Sequence, residues 1–442
     1  MLINRKDLIS ELKIIKSIPK VNLTGSLIFK DSVSLKQTSD DEGKALLSLT
    51  VTDLDIRSES CINLQDNTNH GTCFDNCIMD VSEFLEGLEF VESKDVQIYT
   101  DETNLILKGD EDIYTVKPKE LSNVEGYPDE MEFEISESII MNFQELIKGI
   151  RDTQYALSTD CTKPELNYLF FQTGFEEYIK LIATDGRRIS TRDVPTEAED
   201  GVKFRKPNMR AEDKNFVETI YLTPELINAL LKLEKKYKGE EGEIIIAIDR
   251  NKIKFLFQDE RTISMKCPDG IYPDFEGSIN KFKPRLIFKY TFNFVELEKV
   301  VSKLKKVSKG HANTIGWTLL ENNSEFLFNE DKKRKISSVV KHQYTDTNFE
   351  EFSLAINSSY LSNALDVFKR NKVKFVTISV SNNSKEMIGI SSDEIKDNYF
   401  HGLMTVGGSY FKKNILKEKY RKLQEEENER IKNSLEETIS NL

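Results

Sequence analysis

Three aspartates and one histidine-cysteine cluster are the residues of this 442-residue chain whose types and spacing suit chemistry. Asp53 and Asp55, in TDLDI, stand at the end of an apolar run, and Asp185 stands in the matching place in ATDGRRI. Brought together, such carboxylates could hold Mg²⁺ for a metal-dependent nuclease. Each also precedes a turn, where aspartate commonly bonds its own backbone, and that structural role is the preferred reading. His70, Cys73 and Cys77 make an H-x2-C-x3-C cluster, but no second ligand pair at finger spacing follows it. It reads as a polar loop.

Phosphate-cradling loops of the G-x-x-x-x-G-K-[ST] type, dinucleotide G-x-G-x-x-G turns, nucleophile elbows and H-E-x-x-H pairs are all missing. The four histidines, His70, His311, His342 and His401, are scattered. No catalytic residue, metal or cofactor is therefore expected. Five cysteines at irregular spacing fit reduced thiols. No apolar stretch approaches membrane-spanning length, and MLINRKDLIS carries charges where a signal peptide needs apolar residues. The expectation is a cytoplasmic protein with no membrane partner. A formal net charge of -13 argues against indiscriminate adhesion to nucleic acid, although it leaves room for a basic surface facing one way.

The elements that must position these residues recur. Helical periodicity appears over 5–18, 80–90 with Asp80 as N-cap, and 142–157. It returns from Thr223 as N-cap through Pro224 to a stop at Gly239, over 293–309, and from Asn357 as N-cap through Arg370. The starts lie roughly 60 to 80 residues apart, and each helix leads into alternating strand-like runs such as VQIYT or VKFVTISV. Six helix-plus-strand units, two per domain, give three domains of α+β build with antiparallel sheets and helices on one face. Four of the six helices carry lysine clusters. For one helix, the macrodipole suffices to explain that. Repetition makes it a functional clue.

ATDGRRI, 183 to 189, matches the strand-end pattern A-T-D-G-[HR]-R-[LI] of the bacterial sliding clamp, the beta subunit of DNA polymerase III. LTVTDLDI, ALSTDCTKPELNYLFFQ, CPDGIYPDF and NSSYLSNAL resemble further stretches of that family in the expected order. The resemblance covers nearly the whole chain. It implies clamp domains at 1–133, 134–284 and 285–410, a helical extension at 411–442, and two chains closing head to tail into a ring with helices lining the hole. It also implies a non-enzymatic processivity factor acting at the replication fork. Its partners would be double-stranded DNA held by its backbone, a replicative DNA polymerase, a clamp loader, other proteins with clamp-binding motifs, and a second copy of itself. The lysine-bearing helices would face phosphates without reading bases. The DNA-facing candidates are Lys13, Lys16, Lys20, Lys235, Lys236, Lys303, Lys306 and Arg370.

Carried over onto matching positions, a pocket for partner peptides would comprise Leu166, Thr184, Gly186, Arg187, Arg188, Ile189, Pro273, Asn357, Tyr360, Leu403 and Met404. The chain departs from the family in three places. Met404-Thr405-Val406-Gly407-Gly408 stands where M-P-[MV]-R-[LM] is usual, Lys306 and Val307 stand where apolar dimer contacts are common, and residues 411 to 442 run past the usual terminus. These departures fit a phage- or plasmid-type member. The alternative is a clamp-fold adaptor that binds peptides without encircling DNA.

Overall fold

The computed structural model describes residues 1–16, 31–40, 42–65, 76–101, 103–121, 127–128, 131–160, 162–175, 177–196, 219–237, 242–268, 275–310, 313–320, 322–330, 334–344, 352–381, 387–395 and 399–406. Lys20, His70, Cys73, Pro273 and the extension at 411–442 lie outside these described residues.

One corner recurs: a strand ends on, or one residue before, the side chain that caps the following helix. Strand Leu2–Asn4 feeds helix α1 (Arg5–Ile15), Asn76–Asp80 feeds α2 (Val81–Phe90), and Glu137–Asn142 feeds α3 (Phe143–Thr153). Strand Thr219–Leu222 feeds α4 (Pro224–Leu233) through Thr223. After a short α5 (Phe275–Phe282), strand Phe288–Asn293 feeds α6 (Phe294–Ser308) and Phe352–Asn357 feeds α7 (Ser358–Arg370). Asn4, Asp80, Asn142, Asn293 and Asn357 all keep extended backbones, and each side chain accepts two N–H groups of its helix's first turn. At Asn142, these come from Gln144 (2.8 Å) and Glu145 (3.4 Å). Helix α4 uses the alternative start, a threonine cap with proline at the first helical position, where a missing N–H costs nothing.

The described chain divides into two compact units. The first comprises Met1–Asp185 with Thr191–Tyr272, and the second Gly186–Ser190 with Pro273–Leu442. In the first, a four-stranded sheet runs Leu2–Asn4, Asp95–Asp101, Asn104–Lys108, Ile113–Val116. A nine-stranded sheet joins the first and second repeat pairs where Thr262–Lys266 lies antiparallel to Ile56–Asn63, with Ile263 opposite Ser58 and Met265 opposite Ile56. Helices α1 and α2 cover one apolar core through Leu8, Leu12, Phe84 and Leu88. Helices α3 and α4 cover a second through Phe143, Leu146, Ile150, Leu226 and Leu230. Gly149 allows α3 to sit close to its sheet, since a Cβ there would lie 2.5 Å from Val194 Cγ2 and 3.0 Å from Leu181 Cδ1. The same helix carries Asp152, ion-paired in the interior with Arg192.

In the second unit, strands follow the order Phe400–Met404, Met387–Ser391, Phe375–Val380, Phe288–Asn293, Arg334–Tyr344, Asn323–Glu330, Thr314–Leu319, Phe352–Asn357. Helices α6 and α7 pack together over Trp317, which stacks on Phe326 at 4.8 Å. Three helix pairs on antiparallel sheets give the α+β architecture of tandem repeated domains expected from the sequence. No helix among the described residues is long and apolar enough to cross a membrane.

The helix ends differ from the periodicity. Helix α3 stops at Thr153, whose hydroxyl donates back to Gly149 O (2.8 Å), and the chain tightens into a 3₁₀ turn over Gln154–Ala156. Helix α4 stops at Leu233, short of Gly239. Helix α5 was not anticipated.

Each cap satisfies two donors that the helix itself cannot. Asn142→Ala is expected to cost about 1 kcal/mol of stability in urea unfolding, and Asn142→Asp to restore most of it.

Candidate functional site

Of the carboxylates that could have held a metal, Asp53 is engaged by its own turn. Asp53 Oδ1 accepts from the backbone N–H groups of Asp55 (3.1 Å) and Ile56 (2.6 Å), closing the turn as its type predicts. Burial raises its carboxyl above the ordinary range, against the pull of those N–H donors. Leu54, at the centre of this turn, has φ 81°, and Gly186, at the matching place in ATDGRRI, also has φ 81°. The two turns share this left-handed centre. Glycine adopts this conformation without strain, whereas leucine does so at a cost. Cys77 is buried on its strand, and burial pushes its thiol up to about 12, which keeps it protonated. Among the described residues, no group of three or more His, Cys, Asp or Glu is placed to hold a metal.

Segment 186–190 belongs to the second unit, where several of the pocket residues meet. Met404 N–H donates to Arg187 O (2.8 Å), tying the turn to the last strand. The Arg188 guanidinium lies 4.3 Å from the Tyr360 ring centroid, a cation–π arrangement. Tyr360 sits there because Asn357 caps α7, its Oδ1 accepting from Ser359 N (2.9 Å) and Tyr360 N (3.2 Å). Asn357 therefore orders the site as a cap. Asn363, one turn beyond Tyr360, accepts from Arg188 Nη1 (2.9 Å) while donating to Ser359 O (3.1 Å). Its place three residues after Tyr360 was the available signal in the sequence, and it was missed.

Gly402 has no Cβ because the space is filled by Met387 and Ile189 Cγ2, the latter 2.8 Å from where a Cβ would be. Leu403 points into the core with none of its surface exposed, whereas Met404 is 36% exposed. Of the two, Met404 offers surface to a ligand. His401, also missed, is fully buried; desolvation first and the Arg188 charge second push it down to about 3, so the imidazole is neutral beside the guanidinium. Leu166 and Thr184 belong to the first unit and are buried, Leu166 on the turn Pro164–Asn167 and Thr184 at its strand end.

Of the basic candidates, Lys13, Lys303, Lys306 and Arg370 lie on helices, whereas Lys16 follows α1 and Lys235 and Lys236 stand in the turn after α4. On α6, Lys303 and Lys306 are exposed, and Lys305 donates to Ser362 Oγ (3.1 Å). Arg370 is exposed at the end of α7. In the first unit Lys16 and Lys235 are exposed, while Lys13 pairs with Glu89 at 2.8 Å in an exposed ion pair. Lys236 differs. Its Nζ pairs with Glu11 and, at 2.8 Å, with Asp259.

The chain is similar in sequence to beta sliding clamps: that of Rickettsia bellii at 22% identity over 265 residues, 58% of this chain and 65% of the relative, and that of Streptococcus pneumoniae serotype 4 at 23% over 282 residues, 63% and 67%. The matched stretch thus spans somewhat less than two thirds of the Rickettsia relative. In structure it resembles the DNA polymerase III beta subunit of Pseudomonas aeruginosa, with a TM-score of 0.74 at 18% identity, covering 92% of this chain and 99% of that one. The beta subunit of Thermotoga maritima gives 0.74 at 12%, covering 92% and 98%. No protein-family model matches. The chain has the fold of these beta subunits, and its sequence is similar to those of beta sliding clamps at a divergent level.

His401 sets an acid limb for stability. Its folded pKa of about 3 lies below the ordinary 6.5, so the unfolded chain binds the proton first as pH falls. Its stabilising preference for the neutral form is complete above about pH 6.5 and is lost progressively down to the folded value. His401→Gln should narrow the stability difference between pH 7.5 and pH 5.0 in urea melts; an unchanged difference would show that His401 does not contribute to this limb.

Proposed function

We propose that the chain is a DNA sliding clamp, a processivity factor without catalytic activity of its own, whose ring of two copies encircles duplex DNA and tethers a replicative polymerase. The observation that carries this reading is the match over almost the entire length of known clamps, combined with exposed basic residues on α6 and α7 and just after α1 and α4. An acidic protein can hold DNA if its positive charge is concentrated where the duplex passes. In this reading Lys16, Lys235, Lys303, Lys306 and Arg370 meet phosphates. Contacts of that kind carry no sequence information and depend on salt, which suits a protein that must move along its ligand.

The domains would divide near 133/134 and 284/285, with work at the replication fork in the cytoplasm. The site around Arg188, Tyr360 and Met404 would supply one side of a surface for an extended peptide from the polymerase, a clamp loader or other partners. Its chemistry suits that: an apolar floor at Ile189 and Met387, a rigid aromatic face at Tyr360 and a glycine at 186 where a backbone can approach closely.

A ring around DNA is held by topology, not by affinity. Loaded onto a nicked circular duplex, the protein should stay bound through gel filtration and be released when the circle is cut once. Reversing Lys303 and Lys306 to glutamate should lower retention at moderate salt. Equal loss from cut and uncut circles would contradict encirclement and leave a peptide-binding adaptor.

A further inference from the structure

The turn that follows α4 is a hub in the first unit, and the charges that meet there come from distant parts of the sequence. Glu11, on the second turn of α1, places one carboxylate oxygen on Lys236 Nζ and the other on the Arg261 guanidinium. Arg261 has none of its side chain exposed, and Glu11 only 10%. Lys236 also reaches Asp259 at 2.8 Å. Tyr237 OH donates to Asp259 Oδ1 (2.7 Å) and accepts from Arg261 Nε (3.1 Å), closing the network.

The network is anchored on both sides. The Tyr237 ring stacks on Phe257 at 4.7 Å and meets Phe143, the first residue of α3, edge-on at 5.7 Å. From α3, Gln144 Nε2 donates to Tyr237 O, and Arg151 pairs with Glu234. The end of α4 is thereby fastened to α3 and to the 257–262 hairpin, and Glu11 carries α1 into the same network. Burial pushes Arg261 down to about 10, which still leaves it fully charged near neutral pH, so Glu11 is its needed counter-ion.

We infer that Glu11 and Lys236 form a clasp that sets α1 against the end of α4, and that Lys236 is thereby a positioning residue for the neighbouring DNA-facing lysines, Lys16 and Lys235, rather than a phosphate contact. The inference rests on the clamp reading and refines it. A lysine that meets phosphate gives its charge to the salt dependence of binding, and one neutralised by two carboxylates has little left to give. Sequence pattern makes Lys235 and Lys236 equivalent. Geometry separates them not by exposure, which both share, but because Lys236 makes two ion pairs and Lys235 makes none among the described residues.

The test is DNA affinity as a function of salt, measured by fluorescence anisotropy with a labelled short duplex and the full-length protein. Five variants are compared with wild type: Lys235→Met, Lys236→Met, Lys236→Arg, Glu11→Gln and the double variant Glu11→Gln/Lys236→Met. Lys235→Met should reduce the slope of log affinity against log salt by about 1. Lys236→Met should leave the slope unchanged but weaken binding about threefold at each salt concentration, the size of a partly exposed ion pair's coupling. Lys236→Arg should restore binding. Glu11→Gln gives the decisive sign. As a mere negative charge near DNA its removal would strengthen binding, whereas as half of a clasp its removal weakens binding, and the double variant should be no weaker than Lys236→Met alone. Should Glu11→Gln fail to fold because Arg261 is stranded, the slope of Lys236→Met decides. A slope reduced as much as in Lys235→Met, or stronger binding by folded Glu11→Gln, overturns the clasp. A wild-type protein with no salt-dependent affinity for the duplex and no retention on the nicked circle overturns the DNA reading itself.

Discussion

The strand-to-helix corner is the constraint on which the rest of the structure depends. Six times, a strand runs directly into a helix through a side chain that satisfies the helix's first orphan donors, leaving no intervening loop to vary the angle. A helix that starts at the end of an inner-facing strand must fold back over the same sheet. Its apolar stripe then covers the sheet, and its opposite face, with its lysines, is left to solvent. On α6 and α7 the exposed Lys303, Lys306 and Arg370 stand on that solvent side.

Close approach and buried charge refine that arrangement. Gly149 brings α3 down onto Val194 and Leu181. Asp152 and Arg192 then fill the interior beyond it as a pair, each costly to bury without the other. Gly402 serves the same purpose in the second unit, where Met387 and Ile189 take the volume that a side chain would occupy. A methionine in that place is unbranched and flexible, so it can fill the irregular space beside Gly402.

How much of this could be read from the sequence depended on range. The caps at Asp80, Thr223 and Asn357 were legible because a cap is a local event, fixed by one side chain and the next three residues. The paired turns TDLDI and ATDGRRI were legible as turns for the same reason, although not that Leu54 shares the backbone conformation of Gly186. Where helices stop was less visible: α4 ends before its lysines because Lys236 and Tyr237 are drawn to Glu11, Asp259 and Arg261. A periodic pattern has no record of a partner 225 positions away. Lys236 looked like its neighbour Lys235 for that reason, and Asn363 and His401 went unnoticed because their importance lies in Arg188, which is distant in sequence.

The central claim is that two copies of this chain close around a duplex. The most direct measurement is native mass in solution with electron microscopy of the same sample. The account predicts a mass twice that of one chain and rings with an open centre wide enough for double-stranded DNA. A monomer at all concentrations, without rings even when DNA and a loader are supplied, would contradict it.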